Sequence, residues 1–166
     1  MAELTQKITP MLWFDDQAEE AAGFYVSVFK DSSIGSVARY GEAGPGPAGS
    51  AMVVPFVIEG QAFTALNGGP VYTFSEAISF VIFCETQDEV DHYWDALKEG
   101  GPVEAQQCGW LKDRFGVSWQ VVPTALAKLM SDPDPEKAMR TTKAMLAMKK
   151  LDIAALQAAH DGIDAG

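Results

Sequence analysis

The chain has 166 residues, 48% of them hydrophobic and 21% charged, with a formal net charge of −11. That much apolar material supports a packed core and excludes global disorder. The acidity repels phosphate backbones and anionic membrane surfaces, so neither nucleic acid nor a membrane is expected as a partner. No apolar run approaches the roughly 20 residues that span a bilayer. The segment MAELTQKITP lacks the basic and apolar regions of a secretory leader. Two cysteines, Cys84 and Cys108, make no disulfide framework. A reducing, cytoplasmic setting is expected, with both thiols acting as small core residues.

Residues 7–14 read as a strand ending at Asp15-Asp16. Asp16, with Glu19 three residues on, is the expected cap of a first helix. Ala21, Phe24, Tyr25 and Val28 give that helix one apolar stripe facing a sheet. A second strand is expected over 34–40. GEAGPGPAGS (41–50) is a loop, because glycine and proline break both regular structures. Residues 51–58 and 61–67 read as a hairpin turning at Glu59-Gly60. Pro55 puts the first of these strands at an edge or a bulge.

Ile78–Cys84 opens a second series as a nearly continuous apolar run. Thr86, with Glu89, caps a second helix whose buried stripe is Val90, Tyr93, Trp94 and Leu97. Gly100-Gly101-Pro102 stops it. A short polar segment follows, then two strand-like runs turning at Lys112–Gly116, and Pro123 closes the sheet. The tail is helical. Thr124 starts a short helix through Met130, Asp134 with Pro135 starts a second, and Asp152 a third.

The same unit is thus written twice: a strand, a helix with an acidic start, and three strand-like runs. The fold class is α+β, a pair of βαβββ modules over 1–70 and 71–123, followed by C-terminal helices over 124–166. Paired modules of this kind curve around a shared cavity. Tyr25 and Tyr93 occupy corresponding places on the two helices and suit the helix–sheet seam.

The order and spacing of PMLWFDDQAEEAAGFYVSVF, FTALNGGP, AISFVIFCETQDEVDHYWDAL and CGWLKDRFGVSWQVVP resemble the vicinal oxygen chelate superfamily. That superfamily includes glyoxalase I, bleomycin-resistance proteins and extradiol dioxygenases. Within it these runs look like the PhnB-like branch, often labelled a 3-demethylubiquinone-9 3-methyltransferase domain. The likeness covers residues 7 to about 123. It implies a half-open, glyoxalase/bleomycin-resistance-like barrel, and a homodimer. Metal-using members carry four ligands on four strands, and those places fall here near Pro10 and Ala65 (with Asn67 beside it), and at Ser79 and Gln120. Divalent metals want carboxylate, imidazole or thiolate donors. That set is therefore a poor metal site, and no metal or other cofactor is expected. The only two histidines, His92 and His160, lie off the strands.

Strand alternation assigns Leu12, Phe14, Phe63, Ala65, Asn67, Ser79, Val81, Phe83, Ser118, Gln120 and Val122 to the cavity face. The candidate ligand-binding residues are Phe14, Phe63, Asn67, Ser79, Phe83, Ser118 and Gln120. Trp110 or Trp119 is placed at the mouth, stacking on a planar ligand. An apolar lining with a few neutral polar groups suits a small molecule, and it also describes an ordinary barrel core. The expected function is retention of a small, partly apolar molecule without a metal. The alternatives are a metal-dependent lyase, isomerase or dioxygenase of the same superfamily and, last, the methyl transfer that the branch's label implies. Methyl transfer fits poorly, since no glycine-rich turn follows a strand to open a helix. Neither a catalytic residue nor a specific reaction is legible.

Overall fold

The computed structural model describes residues 6–163. The chain divides into two compact units, one ending at Phe74 and the other beginning at Ser75.

The first unit contains β1 (Met11–Phe14), α1 (Ala18–Val28), β2 (Ser33–Ile34), β3 (Ala38–Arg39), β4 (Ala51–Ile58) and β5 (Gln61–Asn67). Its sheet runs β1-β5-β4-β2, with β3 also on β4. β1 is parallel to β5, and the remaining pairs are antiparallel. The single strand expected over 34–40 is split in two. The interruption lies opposite Pro55, where Gly35 N donates to Pro55 O at 2.8 Å. Pro55 itself has no N–H to return, so regular pairing lapses there and resumes at Ala38. β4 is therefore an internal strand carrying an irregularity, and not an edge.

α1 begins at Ala18, after Gln17, and no side chain from the preceding residues caps it. The expected cap, Asp16, does not serve. Asn67 at the end of β5 serves instead, its Oδ1 accepting from Ala18 N at 2.8 Å. This partner lies 49 residues away in sequence, where no local motif points.

The second unit contains β6 (Phe80–Cys84), α2 (Gln87–Lys98), a 3-10 turn (Val103–Ala105), β7 (Trp110–Lys112), β8 (Ser118–Pro123), α3 (Thr124–Met130), α4 (Pro135–Ala147) and α5 (Ile153–Asp161). Its sheet runs β6-β8-β7, with β6 parallel to β8. The first and last strands are thus parallel neighbours in both units, which is the structural form of the sequence repeat. The second copy is abbreviated. The polar segment after α2 forms the 3-10 turn and a single bridge between Gln107 and Trp110. Too few apolar residues alternate there to hold a full strand.

Local capping works as expected in this unit. Thr86 accepts from Glu89 N, and the Glu89 carboxylate accepts from Glu85 N at 2.7 Å. Asp134 and Asp152 cap α4 and α5 through Glu136 N and Ala155 N. The three tail helices enclose a core of Leu126, Leu129, Leu151 and Leu156. Cys108 and Gly109 both have left-handed backbones (φ 42° and 87°). This turns their N–H groups outward to Met148 O and Lys149 O, at 2.7 and 2.8 Å. The tail is thereby hydrogen-bonded to the segment that leads into β7.

Candidate ligand-binding face

α1 packs on β4 and β5. Beneath it lie Leu12, Phe14, Val54, Phe56, Phe63 and Ala65, all buried. Tyr25 stacks on Phe56 at 6.0 Å, and Phe56 on Phe63 at 5.3 Å. Phe14 and Phe63 are therefore helix-side core residues, which corrects their assignment to a cavity face. Strands in this unit are apolar on both sides, so alternation shows that two sets exist without showing which one the helix covers. The face turned away from α1 carries Met11, Trp13, Thr64 and Leu66 instead.

Asn67 serves the fold through both ends of its amide. Besides capping α1, its Nδ2 donates to Ala51 O at 3.0 Å, and its backbone oxygen accepts from the Tyr40 hydroxyl. Tyr40 anchors the glycine-proline loop: a Cβ on Gly44 or Gly46 would sit 2.6 or 2.5 Å from the Tyr40 ring. The loop, Asn67–Pro70 and Asp15-Asp16 border an open cleft of about 600 Å³. Arg39 in its wall is paired with Glu19 at 2.9 Å.

In the second unit α2 packs on β6, β7 and β8. Cys84, Leu111, Trp119 and Val121 are buried on that side with Val90, Tyr93, Trp94 and Leu97. Burial pushes the Cys84 thiol up to about 11, with the Glu89 charge adding to the effect. The opposite face presents Ser79, Val81, Phe83, Trp110, Lys112 and Gln120. Phe83 is 69% exposed and Val81 42%. Trp110 and Val81 flank Gln120 in register, one on each neighbouring strand. Gln120 Nε2 donates to Ser79 Oγ at 2.9 Å, which fixes the two neutral groups against each other. That bond leaves the Ser79 hydroxyl hydrogen and the Gln120 carbonyl oxygen for a ligand. Ser118 is buried beside Lys112 in the register. Val122 is taken up by the tail core. Of the two tryptophans, Trp110 lies on the open face. Trp119 lies on the helix side, where its Nε1 donates to Asp113 Oδ2 at 2.9 Å.

Sequence reasoning passed over two groups here. Lys112 was read only as part of a turn, yet its Nζ stands 2.5 Å from the Glu76 carboxylate at the end of the open face. The bond to Lys112 holds the Glu76 carboxyl below its usual range. Asp113, 1% exposed, accepts from Phe115 N, Val117 N and Trp119 Nε1 at 2.9–3.0 Å and so builds the β7–β8 turn. The signal for both was the Lys-Asp-Arg-Phe-Gly run, in which polar residues abut two apolar strands.

The positions at which the superfamily carries a metal do not suit one here. Pro10 offers no side-chain donor, and Ala65 is a methyl group under α1. Ser79 and Gln120 are neutral and bonded to each other. Among the described residues no three His, Cys, Asp or Glu side chains converge as a metal-ion site. Divalent cations are held by charged or imidazole donors. The residues present do not fit such an ion.

Two sheets, each pairing its first and last strands in parallel and covered by one helix, define the glyoxalase/bleomycin-resistance class of fold. The model of the family described as 3-demethylubiquinone-9 3-methyltransferase matches residues 6–122, and the chain belongs to that family. The structure is similar to that of a Bacillus cereus PhnB protein, described with the same methyltransferase name. Identity to it is 36% over 72% of this chain and 100% of that one, with a TM-score of 0.65. Protein PA1353 from Pseudomonas aeruginosa is 25% identical over 72% of this chain and 98% of its own, with a TM-score of 0.56. A glyoxalase/bleomycin resistance protein from Albidiferax ferrireducens also matches, at 14% identity over 71% and 98% and a TM-score of 0.46. No curated protein matches. The resemblance drawn from the sequence to the PhnB-like branch, with its methyltransferase label, stands.

Proposed function

We propose that this protein binds a small, partly apolar molecule on the open face of its second sheet, without a metal ion. The observation that carries the reading is the pairing on one face of exposed apolar side chains, Phe83 and Val81, with the neutral Gln120–Ser79 pair. Apolar walls with a few placed polar groups are the composition of a small-molecule site. Trp110 adds an aromatic surface in register with Gln120. Ser118 lies at the polar end of the same face.

Two features of the chain speak against methyl transfer, the activity in the family's description. The glycine-rich stretch joins β3 to β4 and opens no helix, and neither sheet is a doubly wound parallel one. The proposal extends to a cytoplasmic homodimer. The free state of both cysteines supports the compartment. Among the described residues no helix is long and apolar enough to cross a membrane.

The test combines elemental analysis of protein purified without added metal with titration of a neutral aromatic alcohol, read by calorimetry. Binding is expected without stoichiometric metal, unchanged by a chelator and at least fivefold weaker in Phe83→Ala. Stoichiometric zinc, nickel, manganese or iron whose removal abolishes binding would overturn the reading in favour of a metal-dependent enzyme.

A further inference from the structure

We propose that the ligand of this face is an amphipathic acid, an apolar or aromatic body ending in a carboxylate, and that Lys112 is its anchor. The inference rests on the reading of the open face as a binding face and adds the chemical class of the occupant.

The argument is the order of groups along the strands. Phe83 stands at one end of the face, opposite Val122 in the register. Val81, Gln120 and Trp110 form the next row across the three strands. Lys112, opposite Ser118, stands one row further on. Polarity thus rises in one direction, from an exposed phenyl ring through a neutral amide to an ammonium group. Same-face residues of a strand are spaced by about 7 Å. Trp110 and Lys112, neighbours on the same face of β7, are therefore about 7 Å apart, a span that suits a molecule of one ring and a short chain.

Glu76, from the segment before β6, lies against the ammonium group at 2.5 Å. The Glu76 side chain is 62% exposed. The Lys112 side chain is 24% exposed, so its charge stays paired when a ligand carboxylate takes the place of Glu76, which returns to water. Glu76 then acts as an internal stand-in that leaves when an acid binds. The chain's net charge of −11 discourages non-specific uptake of anions. Selection therefore depends on this one cation, with the apolar contacts supplying the rest.

The probes are 4-phenylbutyrate and 4-phenylbutan-1-ol, matched in body and differing in charge, titrated calorimetrically into the full chain. The acid is expected to bind at least tenfold more tightly than the alcohol. Lys112→Met should bring the acid down to the alcohol's affinity and leave the alcohol unchanged. Lys112→Arg should retain the preference, which separates loss of charge from loss of fold. Glu76→Gln should tighten the acid about threefold and leave the alcohol alone. Equal affinities in the unmodified chain, or a preference that survives Lys112→Met, overturn this inference while the binding face stands. Binding of neither probe overturns the face itself and this inference with it. That is also the result if a second copy of the chain covers the face, which sedimentation of the unmodified chain would reveal.

Discussion

Asp113 holds the β7–β8 turn of the second sheet. Its buried carboxylate takes three donors, two of them backbone N–H groups of the β7–β8 turn and one the Trp119 indole. Removing a buried acceptor leaves its donors unsatisfied, at about 1–3 kcal/mol. Asp113→Ala is expected to cost at least that much in chemical denaturation and to shift the Trp119 fluorescence toward the red. Cys84 makes a second residue-scale point. Its thiol is buried and raised to about 11, so it is a poor nucleophile at neutral pH. Iodoacetamide at pH 8 should leave Cys84 unmodified in the folded chain and modify it in denaturant, as mass spectrometry of the peptides would show. Asn67 shows why a residue's role escapes the sequence. Its amide reads equally well as a ligand group or as a cap, and only the position of the Ala18 N–H, 49 residues away, selects the cap.

The tail helices carry a pH dependence. Both ring nitrogens of His160 on α5 face carboxylate oxygens: Nδ1 faces Asp161 at 2.8 Å, and Nε2 faces Asp132, in the α3–α4 turn, at 3.0 Å. Carboxylates only accept, so both contacts are hydrogen bonds only for the imidazolium. Asp161 first, then Asp132, raises the His160 pKa, and the two carboxyls are lowered in turn. Arg140 of α4 donates to the Ala159 and His160 carbonyls, and Lys137 adds positive charge near both aspartates. A raised base contributes stability below its unfolded value, near 6.5, and loses it as pH climbs through the folded value. The lowered carboxyls lose theirs as pH falls through their own folded values. His160→Gln should therefore lower the melting temperature most near pH 6 and progressively less toward pH 9. An equal deficit at both ends would show that the charge contributes nothing.

At the scale of the whole chain, the tail is built into the second unit. Gln87 on α2 donates to Leu151 O and accepts from Ile153 N, Lys150 pairs with Asp91, and Cys108 and Gly109 donate to Met148 and Lys149. Leu151 and Leu156 complete a core with Leu126 and Leu129. Ending the chain at Pro123 removes all of these. The expected outcome is loss of cooperative unfolding in the remainder of the second unit, followed by circular dichroism and hydrogen exchange. Retention of a protected β6-β8-β7 sheet would show the tail to be an accessory.

The sequence alone determined the kind and order of the elements, because those depend on local chemistry. The strands at 51–58 and 61–67, the caps at Thr86, Asp134 and Asp152, the stop after α2 and the three tail helices are all set by residues within a few positions of the feature they produce. The motifs along the chain were also enough to indicate the family. Three things belonged to the tertiary structure alone. One was which face of an apolar strand lies under a helix, and so the removal of Phe14 and Phe63 from the candidate site. Another was the interruption opposite Pro55, which depends on where two strands meet. The third was the placing of Lys112 and Glu76 at one end of a face whose other end is Phe83. Period-two alternation is blind to which side is covered, and a contact across dozens of residues leaves no local mark.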